Sequence, residues 1–586
     1  MKHFFLTFAA VLAAQVFLAC ALLFFVMGMG AVLVGTGGAK VDVPARACLV
    51  QEIPEELVEY EPAQRIPLPH SATITQTMIL ENLEKARLDD RIQAVVLKFD
   101  VPGGGWGKLE EIRQRVHQLR EAGKPVYAFT SFAFSPSLHL AAACDSIVLA
   151  PEGMVWLTGL MAERFFVKAL FDDVGIDVQA IQIGDYKSAA EMFTRESMSP
   201  PARANAHWVM EDLYDQFLAA VARDRGVLAS DVEGWLAGSP YSPPEAHAAG
   251  IVDALLYWDE FMDRLEARHP GLETISAREY ASVPRGRFGL RGPKIAVVHG
   301  QGMITAGESG GLYPMGLSMG DETIVAALED LRDDDGIEGV LLRLDTPGGL
   351  GLASDRIGEM VADVSRVKPI VVSSVDLNAS GGYMVSYRAD EIVALPGSVV
   401  GSIGALSMRP VLAGVTEKLG ITFDRVTKGP NATLFSPVVP LDDQTFARFT
   451  AVQRSSYERW IAGVADAREM SPEEVESLAG GRVFTGRQAF EHGLVDAVGG
   501  FDEALARLKR ACGIGADEPV TLLHYPVRKS FLEHIRAGEW AAVGESVALR
   551  LGLRSREELA LRRTLRALEA WLRGEETLAL HPGAYQ

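Results

Sequence analysis

Ala94-Val95-Val96-Leu97-Lys98-Phe99-Asp100-Val101-Pro102-Gly103-Gly104 decides the fold: an apolar run of strand composition, closed by a proline and two glycines. A helical pattern, Met78 to Leu88, precedes it across an Asp89-Asp90 turn, and another helix follows from Lys108. Strand, glycine loop, helix and strand in that order are the signature of an α/β unit with a parallel sheet. A further short strand is expected at Ala47–Val50.

The same unit returns later in the chain. Pro102-Gly103-Gly104 recurs as Pro347-Gly348-Gly349, a shift of 245 residues that also carries Asp145 to Asp390, Pro151 to Pro396 and Gly175 to Gly420. Further on the shift becomes 243, matching Gly250-Ile251-Val252-Asp253-Ala254 to Gly493-Leu494-Val495-Asp496-Ala497. So long a period makes each copy a domain rather than a solenoid repeat. The expected fold class is α/β: two tandem repeats, each a mostly parallel sheet with flanking helices, plus one N-terminal transmembrane helix. The expected domains are 1–40 as anchor, 41–270 as first repeat, 271–292 as linker, 293–515 as second repeat and 516–586 as a helical tail. Within that tail, Ser555 to Arg573 has the leucine spacing of an amphipathic helix.

Composition narrows the function. A net charge of −21 lacks the basic face that nucleic-acid binding needs. Cys20, Cys48, Cys144 and Cys512 show no paired metal spacing, so no zinc site is implied, and no cofactor motif is found. From Phe4 to Val34 no residue is charged, a run longer than the roughly 20 residues a transmembrane helix requires. With only Lys2 and His3 ahead of it, the large domains are expected outside the cytoplasm.

Chemistry is expected where the copies have diverged. Asn378-Ala379-Ser380-Gly381-Gly382-Tyr383 lies between the apolar run Ile370–Val375 and a helical segment, a place where a hydrolase presents a nucleophile. The shift maps Ser380 onto Ser135, which is followed by Pro136, and proline has no N–H to offer an oxyanion. Conversely, Lys187 in Gly184-Asp185-Tyr186-Lys187-Ser188-Ala189 maps onto Ala432. One copy keeps a serine with its donors and the other keeps a lysine, which points to a composite Ser/Lys dyad. Serine needs a base to become a nucleophile, and lysine serves only if burial lowers its pKa from about 10.4 toward 7–8. Gly381 and Gly349 are expected to supply oxyanion N–H groups, with Ser402 as a hydrogen-bond partner of the lysine. Whether serine and lysine meet within one chain or between two is left open.

At these motifs the chain resembles the protease IV family, the long tandem-domain signal peptide peptidases of the SppA type, with a crotonase-like or Clp-like fold. The resemblance spans roughly residues 75 to 510. It implies that Ser380 is the nucleophile and Lys187 the general base of a serine endopeptidase acting on cleaved signal peptides and similar short hydrophobic peptides. It also implies a homo-oligomer, a tetramer in the family, held in the bacterial inner membrane with its catalytic domains in the periplasm. Two other classes stand beside it: a crotonase-like acyl-thioester enzyme and a non-catalytic membrane scaffold.

Overall fold

In a computed structural model, residues 41–61, 73–311 and 317–527 are described. The expected membrane anchor and the amphipathic tail helix lie outside them. Among the described residues, no helix is long and apolar enough to cross a membrane.

The first repeat is a six-stranded parallel sheet in the order Ala254–Leu255, Ser146–Trp156, Val126–Phe134, Ile92–Lys98, Ala47–Glu52 and Glu273–Ser276. The apolar run at Ala94–Phe99 forms the Ile92–Lys98 strand, buried on both faces as a parallel strand between helices must be. The second repeat builds an eight-stranded sheet: Val483–Thr485, Val399–Gly401, Ile370–Ala379, Gly339–Thr346, Lys294–Gln301 and Thr521–Tyr525 in order, with Glu391–Ala394 also pairing Ile370–Ala379 and Ala497–Val498 pairing Glu391–Ala394. Only the pair at its Val483–Thr485 edge is antiparallel.

The strand expected at Ala47–Val50 runs from Ala47 to Glu52 and occupies an interior position. Residues 271–292, expected as a linker, supply the edge strand Glu273–Ser276, and Tyr280 and Val283 enter the first core. Likewise Thr521–Tyr525, in the stretch expected to be a helical tail, pairs with Lys294–Gln301. In both repeats the last strand returns to the first, a long-range pairing that no local pattern announces.

The repeats meet across a seam of buried charge. Arg343, 1% exposed, donates to Glu59 at 2.6 Å and to both oxygens of Glu111 at 3.0 and 2.9 Å. Burial alone would raise the Glu111 pKa, but the Arg343 charge holds it below the usual carboxylate range. His299 stacks on Tyr60 and contacts His524 at 2.9 Å in the same seam.

Candidate active site

Ser380 follows the strand Ile370–Ala379 at a turn that two irregularities aim. The first is a bulge: Leu344 faces Ser374, but Thr346 faces Asn378, so Val375, Asp376 and Leu377 are crowded opposite Asp345. The Leu377 N–H, lost to the ladder there, donates to the Asp345 carboxylate at 3.1 Å. The second is Ser380 itself, held at φ 56° and ψ −116° with its N–H donating to the Gly401 carbonyl at 2.7 Å. Such a conformation is costly for a side-chain-bearing residue and persists only where its surroundings impose it.

Lys108, from the first repeat, clamps this bulge. Its ammonium lies 2.5 Å from Asp345 Oδ2 and 3.3 Å from Asp376 Oδ2. Asp376 in turn accepts from the backbone N–H groups of Gly105 and Lys108, at 2.7 and 2.9 Å. Burial would lower the Lys108 pKa, but the two carboxylates hold it above the ordinary lysine value. Sequence reasoning missed this residue. The signal existed: the 245 shift places Ala353 opposite Lys108, the same kind of divergence that singled out Lys187.

Lys187 is carried to the second repeat by backbone pairing. The strand Asp177–Ile183 runs antiparallel to Ala405–Val411, joining the copies as a two-stranded ribbon. Past its end, Tyr186 N–H donates to Gly480 O at 2.8 Å. Gly481, at φ +86°, packs so closely that a Cβ there would lie 2.4 Å from Lys187 N.

The geometry brings the expected residues together in one chain. Lys187 Nζ is 2.8 Å from Ser380 Oγ, 2.8 Å from the Ser402 carbonyl and 2.9 Å from Ser402 Oγ. Lys187 is only 7% exposed, and burial pushes its ammonium down to about 8. An amine so poised can take the Ser380 proton near neutral pH. Ser402 also has a positive φ of 53°, which turns both of its oxygens toward the amine.

The Pro347-Gly348-Gly349 loop is strapped to Met303–Thr305: Ile304 N–H donates to Gly348 O and Leu350 N–H to Ile304 O, both at 2.9 Å. Between those bonds the Gly349 N–H is left without a protein acceptor among the described residues, as is that of Gly381 at the start of its helix. A Cβ built on Gly381 would lie 3.1 Å from Gly349 N, so the two N–H groups flank one small space beside Ser380. In the first repeat the equivalent Ser135 is fully buried and accepts from Gly159 N–H at 3.2 Å, which makes it a structural residue.

Gly348, at φ +96°, has no room for a side chain: a Cβ would lie 2.6 Å from Gly381 N and 2.7 Å from Ser380 Cβ. Gly348→Ala is expected to displace that donor and lower kcat by about 10²–10³, the usual loss for one oxyanion donor. Steady-state peptide cleavage on folded variant checks this, and an unchanged kcat would count against the assignment.

Ser380 and Lys187 open onto a groove of about 1030 Å³, walled by apolar groups that include Met303, Leu350, Met384, Met408, Phe449 and Trp460. A cleft of that size and lining suits an extended peptide with large apolar side chains.

The model of peptidase family S49 matches the chain twice, at residues 118–271 and 362–515. The chain is 30% identical over 475 residues to the chloroplastic serine protease SPPA of Arabidopsis thaliana, covering 80% of this chain and 69% of that protein. It is 30% identical over 445 residues to protease 4 of Salmonella typhi, covering 73% and 71%. Among solved structures, ClpP1 from Listeria monocytogenes overlays with a TM-score of 0.22 at 15% identity, covering 35% of this chain and 91% of that one.

Proposed function

This chain belongs to peptidase family S49 and is a serine peptidase, and from that premise we infer that Ser380 is its nucleophile and Lys187 its general base. The 2.8 Å contact between Lys187 Nζ and Ser380 Oγ, made in a buried site, carries this reading. Ser380 Oγ attacks the scissile carbonyl carbon while its proton passes to the neutral Lys187 amine. The N–H groups of Gly349 and Gly381 take the oxyanion. On collapse, the Lys187 ammonium returns the proton to the leaving amine, and the acyl group stays on Ser380. Water, deprotonated by the same amine, then releases the second product. Ser402 holds Nζ in line throughout.

The substrates are cleaved signal peptides and similar short hydrophobic peptides, in keeping with the apolar groove and with the family. The apolar run between Phe4 and Val34 anchors the chain in the bacterial inner membrane, with the catalytic repeats on the periplasmic side. The enzyme works as a homo-oligomer.

Labelling of Ser380 by a serine-directed phosphonate tests the roles. The reactive form is the neutral amine, so the labelling rate should rise with pH, reach half its maximum near pH 8 and level off above. The label should be absent from Lys187→Met. A rate flat between pH 6 and 10, or label on another serine, would reject the assignment.

A further inference from the structure

One helix beside the lysine differs between the two copies. In the first repeat it runs from Ala229 to Gly238, which the 243 shift carries to residues 472–481. In the second it runs only from Pro472 to Leu478. Its last turn has come undone. Gly480 stands where the first copy has the helical Ala237, and Gly480 and Gly481 both hold left-handed conformations, at φ +68° and +86°. Glycine takes that conformation without a steric penalty.

The undone turn grips both sides of the active-site amine. Gly480 O accepts from Tyr186 N–H at 2.8 Å, Gly481 N–H donates to Ile403 O at 2.7 Å, and Arg482 O accepts from Ser402 N–H at 2.7 Å. The Arg482 guanidinium also covers the Tyr186 ring, 4.4 Å from its centroid. Three consecutive residues thus fix the backbone that carries Lys187 and the backbone of the serine that holds its Nζ.

Outside the helix the Gly480 N–H has no ladder carbonyl, and a side chain takes its place. Tyr457 Oη accepts from that N–H at 3.2 Å and itself donates to Glu476 Oε2 at 2.7 Å. A phenol has one proton, so giving it to Glu476 turns the lone pairs toward Gly480. Tyr457 lies on the helix Asp443–Ala467 and is only 3% exposed. Burial first, then the bond to Glu476, raise its pKa against a smaller pull from Arg454, so the phenol stays neutral well into alkaline solution. The first copy has Tyr214 and Glu233 at the matching positions, but no undone turn for them to hold.

We propose that Tyr457, oriented by Glu476, is a positioning residue for the general base: it pins the undone turn that sets Lys187 against Ser380 and Ser402. The inference rests on Lys187 being that base. Tyr457 acts through Gly480 and Tyr186 rather than on the reacting atoms. Without its hydroxyl the Gly480 N–H must take water as acceptor, and water admitted beside Lys187 favours the charged amine.

The pH profile of Ser380 labelling by the phosphonate, on the full chain in detergent, reads this directly. Tyr457→Phe keeps the ring and should move the half-maximum up from about 8 by about one pH unit, toward the ordinary lysine value of about 10.4. On the rising limb at pH 7, labelling should slow about tenfold and recover in alkaline solution. The groove keeps its aromatic wall, so KM for peptide cleavage should stay within about twofold. Glu476→Ala should give the same shift, and Glu476→Gln, which still accepts the phenol proton, should return the midpoint to that of the wild type. Glu476 is exposed, so its variants read the effect even where Tyr457→Phe does not fold. A midpoint unmoved in Tyr457→Phe and Glu476→Ala, with or without a loss of rate, overturns the positioning role alone. Label that persists in Lys187→Met overturns the base itself, and the positioning role with it.

Discussion

Ser380→Ala and Lys187→Met should each lower kcat/KM by about 10³–10⁶, and the double variant should be no slower than the worse single one. The two groups act on one proton 2.8 Å apart, so removing either abolishes the same step. Methionine keeps the length and burial of the lysine stem but cannot take a proton. Residual turnover should come from the groove and the oxyanion donors alone. Steady-state cleavage of a fluorogenic hydrophobic peptide, on protein with a wild-type circular dichroism spectrum, reads all three variants. Losses that multiply in the double variant would mean the residues serve separate steps.

The second large effect concerns stability. Arg343→Met should cost about 3–5 kcal/mol, because it leaves the buried carboxylates of Glu59 and Glu111 without the guanidinium that bonds both. The pH dependence has a definite sign. A carboxylate whose folded pKa is depressed contributes stability above its unfolded value of about 4.3, and that contribution is lost as pH falls through the folded pKa. Glu111 is such a group, so the gap between wild type and variant should be widest near neutrality and shrink in acid. Urea midpoints at two pH values check both claims, and a gap that does not vary with pH would exclude the ion pair as its origin.

The dyad was legible because a duplicated chain carries its own control. Ser380 and Lys187 stand out only against Ser135-Pro136 and Ala432, and the geometry brings them into contact. Ser402, in Gly401-Ser402-Ile403-Gly404, was expected to hydrogen-bond the lysine and does accept from it. Lys108 was open to the same comparison and was overlooked because its partners, Asp345 and Asp376, are more than two hundred residues away. The sheets were legible as apolar runs, but their closing strands were not. Glu273–Ser276 and Thr521–Tyr525 are short, carry polar residues and lie in stretches of linker-like composition, so only pairing with a distant strand makes them strands.

The close approach of Gly481 to Lys187 has a consequence for the chain as it is made. When Lys187 leaves the ribosome, the backbone that positions it is still untranslated. Synthesis proceeds at roughly 5–20 residues per second, so the Gly480-Gly481 clasp arrives about 300 residues and some 15–60 s later. Ser380 emerges before that clasp as well. Through that interval the nascent chain carries first the lysine half of a protease and then both halves, but no assembled site, and is spared from digesting itself by the order of its own translation.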